Sequence, residues 1–160
     1  MEAFGQNHGF ILYRTKLVGR HSGQLSFWEL HDYANIYVDG KYRGTLDGMT
    51  LMNWEVVCLP FDEKYLAGLK FGMTTTLRPG QFFQGTFNLK APGDTYLDLG
   101  GWKKGVVWVN GNNLGRYWEI GPQKRLYCPA SFLKEGRNEI VVFDLHQTAP
   151  APVRGVKTLK

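Results

Sequence analysis

Short runs of alternating apolar and polar side chains, separated by turn residues at close intervals, dominate the second half of this 160-residue chain. Glycine, proline, asparagine or aspartate bounds each run. Runs of strand length with such boundaries favour antiparallel pairing. The chain is therefore predicted to be all-β, an antiparallel β-sandwich of jelly-roll type with one or two short helical turns. The runs are residues 83–89, 95–99, 105–109, 126–127 and 139–145.

A tight hairpin is predicted at Asp39 and Gly40, because this dipeptide supplies the two positive-φ positions of a two-residue turn. The same pattern of an aliphatic residue, an aromatic residue and valine before the turn recurs at Asn110 and Gly111. The recurrence fits either two equivalent modules or one hairpin used twice. The first copy has too little chain around it for a sandwich of its own, since about 100 residues is usual. We expect the N-terminal strands to pack onto the second unit.

Three further local patterns are informative. Residues 9–17 are rich in β-formers and predict a mostly buried strand. Asp62 is a predicted N-cap of a short helix that ends by Gly72. Residues 129–133 predict a helical turn before the last strand, residues 138–145, which alternates apolar residues on both faces and is expected to be central in its sheet.

Composition excludes several classes of function. The net charge of +5 comes from scattered basic residues, so no nucleic-acid partner is predicted. No apolar run approaches the roughly 20 residues of a membrane span, so no membrane partner is predicted. Cys58 and Cys128 lack zinc-ligand spacing and are expected to be free thiols. The first residues lack the pattern of a signal peptide, so any export signal of a parent protein would lie outside this sequence, and the localisation stays open.

No constellation for catalysis or metal binding is visible. Glycoside hydrolysis needs two carboxylates that face each other about 5 to 10 Å apart, and the acidic residues here are scattered over turns and strands. The four histidines are isolated from one another, and no serine lies in a nucleophile elbow. Accordingly, no catalytic residue, metal site or cofactor is predicted.

Sugar binding is a stronger candidate, and it centres on residues 99–129. Sugar rings stack their C–H faces on flat aromatic rings while hydroxyls bond to fixed polar groups, so a lectin-like site needs aromatic residues beside polar ones on rigid turns. The same aromatic residues could instead fill the core of a sandwich. The candidate carbohydrate-binding residues are Trp102, Asn110, Asn112, Arg116, Tyr117, Trp118 and Glu119.

These motifs carry a family resemblance. Residues 93–145 read GDTYLDLGGWKKGVVWVNGNNLGRYWEIGPQKRLYCPASFLKEGRNEIVVFDL. This segment resembles the C-terminal galactose-binding-like jelly roll of glycoside hydrolase family 35 β-galactosidases. Two earlier segments, GQNHGFILYRT and LHDYANIYVDGKYRGTLD, resemble the opening of the preceding β-domain in the same enzymes.

The resemblance implies a piece of a β-galactosidase without its active site. In that family the catalytic glutamates lie on a TIM barrel that no segment here matches, so none is carried over. The implied organisation is a partial first β-domain over residues 1–48, the jelly roll over residues 49–149 and a C-terminal extension over residues 150–160. The chain departs from the family after Asp47, where the rest of the first β-domain is missing, and a deletion is expected there.

Three hypotheses follow. The leading one is a non-catalytic structural module that packs on the catalytic barrel of its parent and contacts a glycan. The second is an autonomous carbohydrate-binding module for galactosides. The third is an interaction fragment that forms homo-oligomers through exposed strand edges, because a half-domain leaves such edges unpaired.

Overall fold

The computed structural model describes residues 9–19, 34–43, 55–72 and 78–159. The chain divides into two compact units, Met1–Leu69 and Lys70–Lys160. The predicted domain boundary after residue 48 falls outside the described residues and stays a prediction. No helix among the described residues is long and apolar enough to cross a membrane.

The first unit contains two small antiparallel sheets and one helix. Strand β1 (Phe10–Arg14) pairs with β4 (Glu55–Leu59), and β2 (Tyr37–Val38) pairs with β3 (Lys41–Tyr42). Helix α1 (Glu63–Ala67) begins after Asp62, whose Oδ1 accepts the backbone N–H of Tyr65 at 2.8 Å. The predicted N-cap is therefore confirmed, although the helix is shorter than expected and is capped at Gly68.

The prediction of a mostly buried strand in residues 9–17 is wrong. Phe10 and Ile11 are half-buried, whereas Leu12, Tyr13 and Arg14 are exposed. Arg14 forms an ion pair with Glu55 on the facing strand, and both side chains are well exposed to solvent. A run of β-formers predicts a strand, but burial depends on what packs over it, which the run itself does not encode.

The second unit is a sandwich of two antiparallel sheets. The large sheet has the order β5-β10-β7-β8 and the small sheet the order β11-β6-β9. The all-β antiparallel prediction is confirmed, and the last long strand is central in its sheet as expected. The large sheet comprises β5 (Gln81–Leu89), β7 (Lys104–Val109), β8 (Asn112–Trp118) and β10 (Gly136–Asp144). The small sheet comprises β6 (Thr95–Asp98), β9 (Arg125–Cys128) and β11 (Arg154–Val156).

Residues 150–160, which show no strong sequence pattern, include strand β11. It pairs with β6 in the register Arg154↔Asp98 to Val156↔Tyr96. A 3-10 helix over Ala130–Phe132 joins β9 to the approach of β10, where a helical turn was predicted.

The core lies between the two sheets. Residues from both sheets and from their connections form one buried cluster, and three partly buried residues of β5 pack against it. The two middle strands of the large sheet, β7 and β10, are buried on both faces, because Val106, Trp108, Val141 and Phe143 are buried as well. The cluster comprises Leu97, Leu99, Trp102, Val107, Val109, Tyr117, Cys128, Leu133, Ile140 and Val142.

Candidate functional site

The hairpin β7–β8 positions the candidate sugar-binding residues. Asn110 and Gly111 form its turn with φ values of 48° and 83°, and Asp39 and Gly40 form the β2–β3 turn with φ values of 49° and 72°. The predicted recurrence of one turn geometry is thus confirmed. A register shift between Val107 and Trp108 marks a β-bulge in the longer hairpin, which changes the face that the following residues occupy.

Asn110 is engaged inside the protein. Its Nδ2 donates to the carbonyl oxygen of Phe132 at 2.7 Å and to Oδ1 of Asn138 at 2.8 Å. Its Oδ1 accepts the backbone N–H of Glu139 at 2.9 Å. The amide therefore ties the β7–β8 turn to the start of β10. Asn112 is also turned inward, since its Nδ2 donates to the carbonyl oxygen of Val109 at 3.2 Å.

Tyr117 lies in the core and its hydroxyl reaches Asp144. The hydroxyl donates to Asp144 Oδ2 at 2.8 Å and lies 3.0 Å from the carbonyl oxygen of Phe143. Asp144 is fully buried and accepts three backbone N–H groups as well, from Lys103, His146 and Gln147. Burial, together with the neighbouring carboxylate of Asp144, raises the pKa of Tyr117 well above its usual range. This network joins the ends of strands and offers no group to a ligand.

Trp102 is a core residue, with only 3% of its surface exposed. Its ring packs edge-on against Phe83 with centroids 5.2 Å apart. Its Nε1 is buried and has no hydrogen-bond partner among the described residues. An indole N–H usually finds an acceptor when it is buried, and none of the described residues supplies one here.

Arg116, Trp118 and Glu119 lie on the surface at the end of β8. The alternation of β8 turns Arg116 and Trp118 to the face opposite Tyr117. Trp118 is 39% exposed, and Nζ of Lys104 lies 3.9 Å from the centre of its ring. Glu119 forms an ion pair with Lys103 at 2.7 Å, and this hydrogen-bonded carboxylate raises the pKa of Lys103. These three residues are the exposed part of the predicted set, whereas Asn110 and Asn112 are half-buried and Trp102 and Tyr117 are buried.

A second polar and aromatic cluster, not singled out by the sequence, lies on the outer face of the small sheet. Tyr96 and Tyr127 are cross-strand partners with ring centroids 5.6 Å apart. Beside them Arg125 Nε donates to Asp98 Oδ2 at 3.1 Å. The period-two alternation of TYLD and RLYC indicates which residues of each strand share a face. Only the register between the two strands shows which of these residues are neighbours. Asp94, in the turn before β6, accepts the backbone N–H of Ala130 at 2.8 Å.

The pKa values of two carboxyl groups, Asp94 and Asp98, are lowered by their surroundings. The backbone N–H of Ala130, followed by the hydroxyl of Tyr127, holds the pKa of Asp94 below its usual range. The backbone N–H of Gly100, with Arg125, does the same for Asp98. A general acid for glycoside hydrolysis needs the opposite shift. No group of three or more metal-ligating side chains occurs among the described residues, although three of the four histidines lie outside them.

A cavity of about 650 Å³ opens between the sheets beside β5. Its walls are mostly apolar and include Phe83 and Phe87 of β5, Leu97 of β6, Val153 next to β11, and Trp102. Thr86, Asp94 and Lys157 supply polar groups to its lining.

Comparison with protein families identifies these units. The model described as "Beta-galactosidase, galactose-binding domain" matches residues 81–138, and the model described as "Beta-galactosidase, first all-beta domain" matches residues 1–63. The chain carries β-domains of the β-galactosidase family. The galactose-binding domain begins at β5 and covers the sandwich as far as the first residues of β10.

Individual β-galactosidase relatives agree. The chain is 52% identical to human Beta-galactosidase-1-like protein 2 over 153 residues, which takes in 89% of this chain and 23% of the relative. It is 29% identical to a Beta-galactosidase of Xanthomonas manihotis over 180 residues, with 82% of this chain and 30% of the relative covered. It is also 29% identical to Beta-galactosidase 17 of Arabidopsis thaliana over 224 residues, with 91% and 32% covered. The chain thus spans less than a third of the length of these relatives.

The length of one alignment bears on the expected deletion. The match to the Arabidopsis relative runs over 224 residues, more than the 160 residues of this entire chain. That relative therefore contains internal residues without a counterpart here. The placement of the missing part after Asp47 stays a prediction.

Proposed function

We propose that this chain is a non-catalytic accessory β-module of a β-galactosidase-like protein, which supports the rest of that protein structurally. Both family models that match this chain describe β-domains, and neither match extends to a catalytic domain. The relatives extend far beyond the aligned region. The proposal places any catalytic activity of the whole protein in the part that lies outside the aligned region.

Several of the described carboxylates support this assignment because they stabilise the fold. Asp62 caps α1, Asp144 binds Tyr117 and three backbone N–H groups, and Asp98 pairs with Arg125. Glu119 and Glu139 bind Lys103 and Gln84 respectively. For Asp94 and Asp98 the structural donors also lower the pKa, which is the opposite of what a general acid needs.

Hydrolysis of a chromogenic β-galactoside by the purified chain tests the non-catalytic part. We expect no release of chromophore above the buffer rate at any protein concentration. Hydrolysis that scales with protein and co-elutes with the chain in size-exclusion chromatography would contradict the proposal. Structural support is tested by co-expression with the part of the human relative that this chain does not match. We expect a higher melting temperature for that part, and an unchanged value would count against support.

Sugar contact at Trp118 is a second candidate function. Of the seven candidate residues, Trp118 alone offers an accessible aromatic ring, and Arg116 and Glu119 supply polar groups nearby in the chain. Nζ of Lys104 lies over one face of the ring, so a sugar would stack on the other face.

Titration with galactose and β-galactosides, followed by NMR of the indole N–H signals, tests sugar contact. We expect a saturable shift of the Trp118 signal with an affinity near the millimolar range, about 4 kcal/mol of binding free energy. Trp118→Ala should abolish binding. The neighbouring variant Ile120→Ala is the matched control, since Ile120 is 71% exposed and belongs to no predicted site. Shifts confined to other signals, or no shift at all, would rule out this candidate.

A further inference from the structure

The turns of the hairpins β2–β3 and β7–β8 carry dipeptides that are chemically reactive. Asp39 is followed by Gly40 and Asn110 by Gly111, and the first residue of each pair has a positive φ, 49° and 48°. The carbonyl carbon Cγ of such a side chain can be reached by the backbone nitrogen of the next residue. Glycine has no side chain to hinder that approach. Both turns are therefore candidate sites of spontaneous modification.

The reaction is an attack of the glycine nitrogen on Cγ, and it needs only water as a co-reactant. With asparagine the new N–Cγ bond forms as the Cγ–Nδ2 bond breaks, the nitrogen gives up its proton, and ammonia leaves. With aspartate an oxygen of the carboxyl group leaves as water. Water then opens the five-membered succinimide ring at either of its carbonyl carbons and gives aspartate or isoaspartate. Asparagine thereby gains one mass unit, whereas aspartate is isomerised at constant mass, and nothing is oxidised or reduced.

The fold holds the amide of Asn110 at both ends. Nδ2, which would be the leaving group, donates to the carbonyl oxygen of Phe132 and to Oδ1 of Asn138. Oδ1 accepts the backbone N–H of Glu139, whose carbonyl oxygen in turn accepts the backbone N–H of Asn110 at 3.0 Å. Closing the ring would break these side-chain contacts, because Nδ2 departs and Cγ becomes bonded to the nitrogen of Gly111.

The hairpin that carries Asn110 is also costly to open. Five of the six residues of β7 are buried, and β7 pairs with β10 on its other side. Separating β7 from β8 would therefore disturb the core of the sandwich. Local opening costs most free energy where buried contacts have to be given up.

The turn at Asp39 lacks these restraints. Asp39 and Gly40 are exposed, and none of the described residues forms a hydrogen bond with the Asp39 carboxylate. The flanking strands β2 and β3 contain two residues each, and all four of these residues are exposed. A short and exposed hairpin opens at a lower free-energy cost than a buried one.

We propose that the fold reverses the intrinsic order of reactivity, so that Asp39 is converted to isoaspartate in the folded protein while Asn110 keeps its amide until the β7–β8 hairpin opens. In an unfolded chain asparagine reacts first, because the carbon of a neutral amide is a better electrophile than that of an ionised carboxylate. Isoaspartate adds one carbon to the main chain and so lengthens the two-residue turn of β2–β3. The proposal is independent of sugar contact and of the accessory role.

Peptide mapping of the full chain after incubation at neutral pH measures both reactions. Trypsin separates the two sites into residues 21–41 and 105–116, and a third peptide, residues 44–64, carries the other aspartate–glycine pair. In the folded protein we expect an isomer of constant mass, assigned by fragmentation to Asp39, to accumulate several-fold faster than the gain of one mass unit at Asn110. In concentrated guanidinium chloride the order should reverse. Deamidation of Asn110 in the folded protein as fast as the change at Asp39, or no isoaspartate at Asp39, would overturn the proposal.

Asp39→Asn gives the sharper comparison, because both turns then carry asparagine before glycine and differ only in their surroundings. Asparagine accepts a positive φ and is favoured in this type of turn, so the variant should fold like the parent, which circular dichroism checks. In the folded variant we expect position 39 to gain one mass unit at least about tenfold faster than Asn110, and in guanidinium chloride we expect the two rates to agree within about twofold. Equal rates in the folded variant would contradict protection by the fold. A difference that persists in denaturant would assign it to the neighbouring sequence and would contradict the proposal as well.

Discussion

The hydroxyl of Tyr117 donates a hydrogen bond to Oδ2 of Asp144 at 2.8 Å, across the strand that separates them in the large sheet. Gly105 of β7 lies between the two, in register with Tyr117 on one side and with Asp144 on the other. The phenol ring thus passes over the one position in its path that has no side chain. The buried carboxylate obtains its only side-chain donor among the described residues by this route.

Tyr117→Phe should lower the free energy of unfolding by about 1–3 kcal/mol, because the buried carboxylate loses one donor while the ring stays in place. Urea unfolding followed by tryptophan fluorescence measures the change. Tyr127→Phe is the matched control, since Tyr127 lies on the surface, and its loss should stay within about 0.5 kcal/mol. Equal losses for the two variants would show that the Asp144 bond contributes nothing particular.

Gly105→Ala should prevent stable folding. A Cβ atom built at Gly105 would overlap the carbonyl oxygen of Phe143 and lie 2.8 Å from the hydroxyl of Tyr117. Backbone atoms cannot move aside without breaking the pairing of β7 with β10, and we expect a loss above about 3 kcal/mol. The control is Gly93→Ala, where a Cβ would meet nothing within 4 Å. Melting curves compare the two, and similar melting temperatures would contradict the steric argument.

The sequence predicts local structure well because its signals are local. The turns at Asp39 and Asn110, the cap at Asp62 and the central strand ending at Asp144 all follow from residues a few positions apart. The prediction that fails concerns β1, which was expected to be mostly buried although β-formers such as Tyr13 are exposed. Strand propensity describes fit to a pleated surface and does not say which faces will be covered.

The candidate sugar site was harder to predict, because residues adjacent in sequence differ in burial. Tyr117 is buried and Trp118 exposed, and the faces they occupy depend on the bulge between Val107 and Trp108. Trp102 belongs to the core although it follows a glycine turn of the kind that often presents ligand-binding groups. The bonding of Asn110 depends on partners that are distant in sequence, which no spacing rule reveals.

Asn110→Gly should destabilise the protein by about 2–4 kcal/mol. Three hydrogen bonds are lost, and the buried Oδ1 of Asn138 loses one of its donors. Glycine accepts the positive φ of 48° at this turn, so the loss reports the side chain and not backbone strain. Asp39→Gly changes the other turn at almost the same φ, 49°, and the Asp39 side chain forms no hydrogen bond with the residues that the structure describes. We expect that variant to stay within about 0.5 kcal/mol of the parent.

Calorimetry of the two glycine variants distinguishes a structural from a sugar-binding role for Asn110. A large drop in melting temperature for Asn110→Gly, with the galactoside response of the remaining folded protein unchanged, supports the structural role. A variant that melts like the parent but loses the sugar response would restore Asn110 to the binding site.

Asp98 should make stability depend on pH in the acid range. The backbone N–H of Gly100 and the guanidinium of Arg125 lower the pKa of Asp98 in the folded state. As the pH falls below about 4, the unfolded chain takes up this proton first. The stabilisation is therefore complete above that pH and is lost as the pH falls through the folded pKa. Asp98→Asn keeps an acceptor for the N–H of Gly100 but has no carboxylate to protonate. Its urea midpoint should therefore fall less steeply than that of the parent between pH 5 and pH 2, which is about the range over which carboxyl groups titrate. Parallel curves for the two proteins would show that the Asp98–Arg125 pair on the small sheet plays no part in acid unfolding.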